Sequence, residues 1–205
     1  LEAAHARGLR VQAWIPQFHD QVAARANPAW QMRTLKNGAI VPYTGARQTE
    51  YFVNPLDPAV QAYQLEIVRE VVTRYAVDGV MLDWIRFDDY PMDLGDVTRA
   101  QYQARHGVDP ATIDFTRAGP ERDRWNAFRT DGIAAQVAAV RAAVGPAMPL
   151  GVYILPPEFV EVGQDAAKFR TSADVLAPMC YHRDWGYPLP WLWDSCLRDT
   201  VARAG

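Results

Sequence analysis

Residues 75–87 read YAVDGVMLDWIRF, and this stretch decides the fold. The triplet Val77-Asp78-Gly79 is typical of a turn, and an apolar run follows it directly. A short apolar run after a turn predicts a strand that is buried on both faces, here over Val80–Ile85. Asp83 and Trp84 stand at the end of this run, so a carboxylate and an indole are expected where the strand ends.

Other segments of the chain alternate between strand and helix patterns. Similar apolar runs predict strands within residues 9–16, 149–155 and 174–181. The clearest helix begins at Asp57-Pro58, an N-cap acid followed by proline, and repeats apolar residues at helical spacing to Tyr75. Further helices are predicted from Trp125 to Val144 and, shorter, over residues 1–7, 165–170 and 192–204, with a β-hairpin around Lys36-Asn37-Gly38 and an irregular stretch over 88–124.

This alternation predicts an α/β fold with a parallel sheet, either open and doubly wound or closed into a TIM-type (β/α) barrel. An open dinucleotide-binding sheet carries a glycine-rich phosphate loop after a strand, but neither G-x-G-x-x-G nor G-x-x-x-x-G-K-[ST] occurs. A barrel gathers its site at the carboxyl ends of its strands, which is where the polar residues of this chain cluster. We therefore predict a barrel of which four strands are present.

The composition excludes several classes of protein. The chain has 205 residues, a formal net charge of -3 and 49% hydrophobic residues, which is typical of a globular domain. No apolar run is long enough for a membrane span, and the basic residues form no stripe that would bind nucleic acid. Cys180 and Cys196 lack zinc-site spacing; they could form one disulfide, but we expect unpaired buried thiols. No cofactor and no metal ion are predicted.

The acid at the end of the central strand is the leading candidate for catalysis. Asp83 is costly to bury unless it is hydrogen-bonded or functional, and carboxylates among aromatic side chains suit a carbohydrate site. A structural alternative is that Asp83 caps the next turn or pairs with Arg86. Cleavage of a glycosidic bond needs a second carboxyl group, for which Glu158 is the first choice and Asp88 the second. Two prolines and Phe159 beside Glu158 predict that its pKa is raised.

Side chains near the other strand ends are expected to bind the substrate. Aromatic rings would stack on sugar rings, and Arg86 would hold a substrate hydroxyl or orient Asp83. The predicted binding residues are Trp14, His19, Trp84, Arg86, Tyr153, Tyr181, His182, Asp184 and Trp185, and Asp184 is also a substitute for the second acid.

Four stretches together resemble a known family. Residues 3–14 (AAHARGLRVQAW), 54–60 (NPLDPAV), 75–87 and 173–181 (ADVLAPMCY) are similar, in order and spacing, to motifs of the glycoside-hydrolase-like family 10 barrels. The resemblance implies a TIM-type barrel that hydrolyses a bacterial polysaccharide outside the cytoplasm, with Asp83 as a catalytic carboxylate. Some members carry two acids in tandem where this chain has Asp83-Trp84. Met81 and Ile85 stand where a chitinase motif has acids, which disfavours a chitinase mechanism.

The resemblance also bears on the length. It places the four strands as the third to sixth of eight, and a complete barrel has about 250 residues. We therefore expect residues 1–205 to be one domain from the middle of a longer chain. Two other functions stay open at this point: a non-catalytic carbohydrate-binding barrel, and a metal-dependent hydrolase that uses His19, Asp83 and His182, although no H-x-x-x-H spacing occurs.

Overall fold

A four-stranded parallel sheet with helices on one face forms the centre of the computed structural model, which describes residues 1–45 and 47–205, Val160 by its backbone alone. The strands are β1 (Gln12–Pro16), β2 (Arg33–Lys36), β3 (Ala39–Pro42), β4 (Gly79–Asp83), β5 (Leu150–Ile154) and β6 (Val175–Pro178). The helices are α1 (Glu2–His5), α2 (Gln21–Ala26), α3 (Pro58–Arg74), α4 (Asp96–His106), α5 (Pro120–Val144), α6 (Ala166–Phe169) and α7 (Arg198–Ala204). A π-helical turn, Leu192–Leu197, leads into α7.

The central sheet has the order β1-β4-β5-β6, and all its neighbouring strands are parallel. Side chains of β4 and β5 alternate between two faces. Val80, Leu82, Leu150, Val152 and Ile154 point to the helices and are buried. The opposite face carries Asp83 and Tyr153, together with residues of the two edge strands that remain exposed, such as Trp14 (61%) and Val175 (52%). The predicted α/β fold with a parallel sheet is confirmed.

The long helix after the hairpin forms as predicted. The Asp57 carboxylate accepts a hydrogen bond from the backbone N–H of Ala59, and Pro58 occupies the first turn of α3. Val60, Gln64 and Val68, at four-residue spacing, are its buried side chains. Val60 and Val68 belong to the same buried apolar core as the strand residues Val80 and Leu82.

The prediction of an irregular stretch over residues 88–124 was wrong. It contains the helix α4, and α5 begins at Pro120 rather than at Trp125. Only Thr98 and Tyr102 of α4 are buried, so its apolar face was too narrow to show as a periodic pattern. The Gly119-Pro120 pair, a proline at the first helical position, marked the true start of α5.

The β-hairpin is confirmed, and one buried carboxylate ties it to the segment after β4. Asn37 and Gly38 have φ angles of 52° and 78°, as a tight hairpin turn requires. The Asp93 Oδ1 atom accepts from the backbone N–H of Arg33, and its Oδ2 atom accepts from the Thr98 hydroxyl and the Gly95 N–H. The hairpin is thereby placed beside the carboxyl end of β4.

The prediction of unpaired cysteine thiols was wrong. Cys180 and Cys196 form a disulfide, with their Cα atoms 6.0 Å apart. The chain leaves β6 and returns through the π-helical turn, which brings the two residues within bonding range. The bridge joins the π-helical turn that precedes α7 to the segment just after β6.

Among residues 1–45 and 47–205, every helix is too short or too polar to cross a membrane.

Candidate active site

Asp83 ends β4 and is buried, with 9% of its surface exposed. Its Oδ2 atom accepts a hydrogen bond from the Trp14 indole N–H (3.0 Å), and its Oδ1 atom accepts from the Trp84 backbone N–H (2.7 Å). The bond from Trp84 is local and agrees with the structural alternative that Asp83 caps the next turn. The bond from Trp14 comes from the neighbouring strand β1. An ionised carboxylate, which only accepts hydrogen bonds, suits two N–H donors.

Trp84 and Arg86 form the wall next to this carboxylate. Trp84 has a φ of 50°, an uncommon conformation for a residue other than glycine, and turns the chain sharply after the strand. The Arg86 guanidinium lies 4.1 Å from the centre of the Trp84 ring and donates to the Phe87 carbonyl (2.8 Å). Burial lowers the pKa of Arg86, while the negative charges of Asp88 and Asp83 oppose that shift.

The same arginine reaches the second predicted acid. Its Nη1 atom lies 3.4 Å from Oδ1 of Asp88, and the Tyr43 hydroxyl donates to Oδ2 of Asp88 at 2.5 Å. Burial and this hydrogen bond raise the pKa of Tyr43 above its ordinary value. Arg86, Asp88 and Tyr43 therefore form one polar network just after the end of β4.

A cavity of about 390 Å³ brings the loop after β4 together with the loop after β5. Asp88 and Asp89 line it from the first loop, and Glu158, Phe159 and Glu161 from the second. The structure thus places Asp88 and Glu158, two of the three predicted catalytic acids, on one cavity. We refer to it as the acidic pocket.

Glu158 is held by two donors from the C-terminal segment. The Trp191 indole N–H and the Ser195 hydroxyl both donate to its Oε1 atom, at 2.7 and 2.6 Å. Burial acts to raise the pKa of Glu158, but the hydrogen bonds from Ser195 and Trp191 outweigh it, so the pKa is lowered. The prediction of a raised pKa was wrong because it considered only the adjacent prolines and Phe159 and not donors distant in sequence.

Aromatic side chains lie around Glu158. Trp185 packs against Phe159 and Tyr181, with ring centres 4.8 and 5.4 Å away. Trp185 also meets the edge of Trp191, which stacks on Tyr187 at 4.4 Å. Two predicted binding residues, Tyr181 and Trp185, therefore belong to this aromatic cluster.

The remaining predicted residues lie in three places. Tyr153 is half-buried, and the register of β4 and β5 puts it beside Asp83 on the same face. His19 stacks on Phe52 (4.6 Å between ring centres) and lies tilted against Trp84 (4.7 Å). His182 interacts through Nδ1 with the Tyr187 carbonyl of its own turn, and Asp184 is exposed.

The metal-dependent alternative required three of these side chains to converge. In residues 1–45 and 47–205, no group of three or more His, Cys, Asp or Glu side chains is arranged to hold a metal ion. His19 packs between aromatic rings, while His182 contacts its own turn. His19, Asp83 and His182 do not form the centre that this alternative needs.

Sequence reasoning missed three residues that contact the candidate acids. Tyr43 follows the hairpin, while Trp191 and Ser195 belong to the segment closed by the disulfide. They meet their carboxylates across 45, 33 and 37 residues of chain. No periodic pattern or local motif marked any of them.

The glycosyl hydrolase-like 10 family matches residues 1–173, most of the chain. The chain belongs to this family. Two curated relatives are 33% identical over 44% of the chain: an S-layer-related protein of Niallia circulans and the glycosyl hydrolase DigH of Escherichia coli K12. The matched segments cover 6% and 21% of these proteins.

Solved structures of glycoside hydrolases share the fold. The PgaB (BpsB) glycoside hydrolase domain from Bordetella bronchiseptica has a TM-score of 0.73 and 21% identity, over 98% of this chain and 59% of that one. The α-L-fucosidase isoenzyme 2 of Paenibacillus thiaminolyticus has a TM-score of 0.56 and 25% identity, over 74% and 21%. These neighbours are TIM-barrel domains, so the predicted partial barrel is confirmed.

Proposed function

We propose that this member of the glycosyl hydrolase-like 10 family hydrolyses a bacterial polysaccharide by two-carboxylate chemistry. The observation that carries the proposal is Asp83, a buried carboxylate at the carboxyl end of β4 that accepts two N–H donors. This is the end of a barrel at which active sites are built. Burial of a carboxylate there is costly, and catalysis gives a reason for it.

In this mechanism Asp83 acts as nucleophile or base at the sugar ring, and Glu158 donates a proton to the leaving oxygen. In the free protein Glu158 is exposed, and two hydrogen bonds favour its ionised form, which cannot donate a proton. A bound glycan would remove water from this carboxyl group, and desolvation raises the pKa of an acid. The proton donor is therefore formed in the enzyme–substrate complex. Asp88, on the same pocket, is the proposed substitute partner.

The aromatic side chains and Arg86 supply the proposed substrate contacts. Tyr181 and Trp14 expose 52% and 61% of their surface and can stack on sugar rings, as can Trp185 of the aromatic cluster. Arg86 would hold a substrate hydroxyl or orient Asp83, since its guanidinium lies over the ring of Trp84, the residue that follows Asp83. His19, Trp84, Tyr153, His182 and Asp184 remain proposed binding residues at the same end of the sheet.

We also propose that the domain works outside the cytoplasm. The Cys180–Cys196 disulfide persists in oxidising compartments and is rare in the cytosol. One curated relative is an S-layer-related protein. Both observations support an extracellular or periplasmic site of action.

The direct test is an assay on a panel of soluble bacterial polysaccharides, in which hydrolysis is measured as the release of reducing ends. Glu158→Gln is expected to lower kcat by about 10²-fold or more, because the amide cannot donate the proton. Asp114→Asn, which changes an exposed carboxylate bonded to Thr116, is the matched control. Turnover by Glu158→Gln at the wild-type rate would remove this residue from the mechanism. Binding without any hydrolysis would favour the carbohydrate-binding barrel.

A pH profile tests the role of Glu158 separately. Ser195→Ala removes one donor to the ionised carboxylate, so the pKa of Glu158 should rise. If Glu158 is the acid, the alkaline limb of kcat/KM against pH moves to higher pH in this variant. The alkaline limb of kcat, which reports the complex, should also lie above that of kcat/KM in the wild type. Alkaline limbs that coincide in the two proteins would assign the proton donor to another residue.

A further inference from the structure

The Cys180–Cys196 disulfide closes a segment that has little regular structure of its own. Residues 181–195, which we call the bridged segment, form turns up to position 190 and helical turns after it. In the described part of the chain, its backbone hydrogen bonds join residues close in sequence, such as Trp185 N–H to the Tyr181 carbonyl. These bonds shape the bridged segment locally but do not fasten it to the sheet.

The side-chain hydrogen bonds from the bridged segment to earlier parts of the chain end on one atom. The Trp191 indole N–H and the Ser195 hydroxyl donate to Oε1 of Glu158, at 2.7 and 2.6 Å. Among the described residues, no other side-chain hydrogen bond and no ion pair joins residues 181–195 to residues before Cys180. The remaining contacts are apolar, such as that of Trp185 with Phe159, the residue after Glu158, at 4.8 Å.

The disulfide holds both donors where they meet Glu158. Cys196 directly follows Ser195 and is fully buried, and its bond to Cys180 fixes the two ends of the bridged segment. Without this bond, the segment has many more conformations, which compete with the one that reaches Glu158. The hydrogen bonds alone oppose that disorder weakly, because Glu158 is exposed and water competes for both partners. The position of the donors therefore depends on the bond.

We propose that oxidation of Cys180 and Cys196 activates the domain, because the bond places Trp191 and Ser195 on Glu158, and that the dithiol form is a precursor of low activity. This inference rests on the proposed function, in which Glu158 is the proton donor. Cytosolic thiols are kept reduced, and the domain is proposed to work outside the cytoplasm. The activity would therefore arise only after export, when the bond forms.

The activating step needs an external disulfide as oxidant. In the bonded structure Cys180 is partly exposed and Cys196 is buried, so the geometry points to Cys180 as the thiol that meets the oxidant. Its thiolate attacks one sulfur of the oxidant, and the other sulfur leaves as a thiolate. The Cys196 thiolate then attacks Sγ of Cys180, so that the Sγ–Sγ bond forms and the second oxidant sulfur leaves. Two electrons pass to the oxidant, and the two cysteine protons end on its two thiols.

The first experiment needs no substrate. The carboxyl carbons of the glutamates are labelled with ¹³C, and the Glu158 signal, assigned with Glu158→Gln, is titrated with pH in the oxidised domain and in the phosphine reductant TCEP. The two donors hold the pKa of Glu158 below its ordinary value, so this pKa should rise on reduction. The Trp191 indole N–H signal should move at the same time, because its acceptor is lost. If neither the pKa nor the indole signal changes on reduction, the bond does not control Glu158.

The second experiment measures polysaccharide turnover in the two redox states. Reduction should lower kcat about tenfold, the effect of losing a hydrogen bond to a charged group, and oxidation with glutathione disulfide should restore it. The alkaline limb of kcat/KM should move to higher pH on reduction, which a merely structural bond would not cause. Cys180→Ser, which leaves the buried Cys196 in place, is the matched control. It should have the low kcat of the reduced domain and should not respond to TCEP.

Folding is followed by NMR in the same samples. The backbone amide signals of α3 and β4 should stay in place on reduction, since both cysteines lie outside these elements. Loss of these signals would overturn the proposal, because the bond would then hold the whole fold. A pKa of Glu158 that rises on reduction, in a domain that hydrolyses no glycan, would keep the redox control of Glu158 and reject the hydrolase. Equal turnover by the oxidised domain, the reduced domain and Cys180→Ser would keep the hydrolase and reject the activation.

Discussion

Asp83→Asn is expected to lower kcat by about 10⁴-fold, because a neutral amide can act neither as a nucleophile nor as a base. The substitution keeps the shape of the side chain, and its remaining oxygen can still accept from the Trp84 backbone N–H. The Trp14 indole would lose its acceptor, but Trp14 is 61% exposed and can turn to water. The melting temperature should therefore stay near that of the wild type. The measurement is turnover of the polysaccharide that the wild type hydrolyses fastest.

A finer variant separates the charge of Asp83 from its orientation. Trp14→Phe keeps an aromatic ring on β1 that can still stack on a sugar, and it removes the N–H that donates to Oδ2 together with one ring of the indole. We expect a loss of about tenfold in kcat, the effect of one hydrogen bond to a charged group. Asp114→Asn again serves as the control for a carboxylate outside the site. Asp83→Asn with more than a tenth of wild-type kcat would leave Asp83 as a structural cap of β4.

The sheet could be predicted because its signals are local. The strands β4 and β5 are largely buried, so their sequences are continuous apolar runs. Such a run between two helical segments is enough to predict a strand of a parallel sheet. The helix α4 could not be predicted in the same way, since Thr98 and Tyr102 are its only buried side chains. Its stability depends on the tertiary contacts of those two residues.

In the candidate site, too, residues marked by a local pattern could be predicted, and contacts between residues distant in sequence could not. Asp83, Trp84 and Arg86 follow one strand directly, and the rule that barrel sites form at strand ends was enough to select them. The same rule selected Glu158, but it could not predict the hydrogen-bond donors of Glu158, because Trp191 and Ser195 lie in the segment after β6, 33 and 37 residues further along the chain. The disulfide shows the same limit, since the spacing of Cys180 and Cys196 says nothing about the distance between their Cα atoms.

A buried arginine outside the reacting groups connects the two loops that carry Asp88 and Glu158. Arg129 of α5 is 0% exposed and donates to the Glu161 carbonyl (2.6 Å) and the Asp89 carbonyl (3.3 Å). Its guanidinium also lies over the rings of Phe87 and Tyr90, at 4.2 and 5.1 Å. Burial lowers the pKa of Arg129 to about 9, so it is still charged at neutral pH.

Arg129→Met is expected to lower the free energy of unfolding by about 3 kcal/mol, as measured by denaturant titration. Two terms oppose each other. Methionine fills much of the same space and removes the cost of burying a cation, which alone would stabilise the fold. The substitution also orphans two carbonyls, at about 1–3 kcal/mol each, and removes two cation–π contacts. The loss from the two orphaned carbonyls and the two cation–π contacts is larger than the gain from removing the buried charge, so the variant should be less stable.

Two control variants test whether the lost stability comes from the hydrogen bonds by which Arg129 joins the two loops. Arg129→Lys keeps a positive charge, but one ammonium group lacks the planar fork that spans two carbonyls, so part of the loss should remain. Arg117→Met, at an exposed position, should leave stability unchanged. In the Arg129 variants kcat should fall with little change in KM, because Asp88 and Glu158 are no longer held at a fixed spacing. An Arg129→Met protein with wild-type kcat would show that the spacing is set by the two loops themselves, through the hydrogen bond from the Phe87 N–H to the Val162 carbonyl.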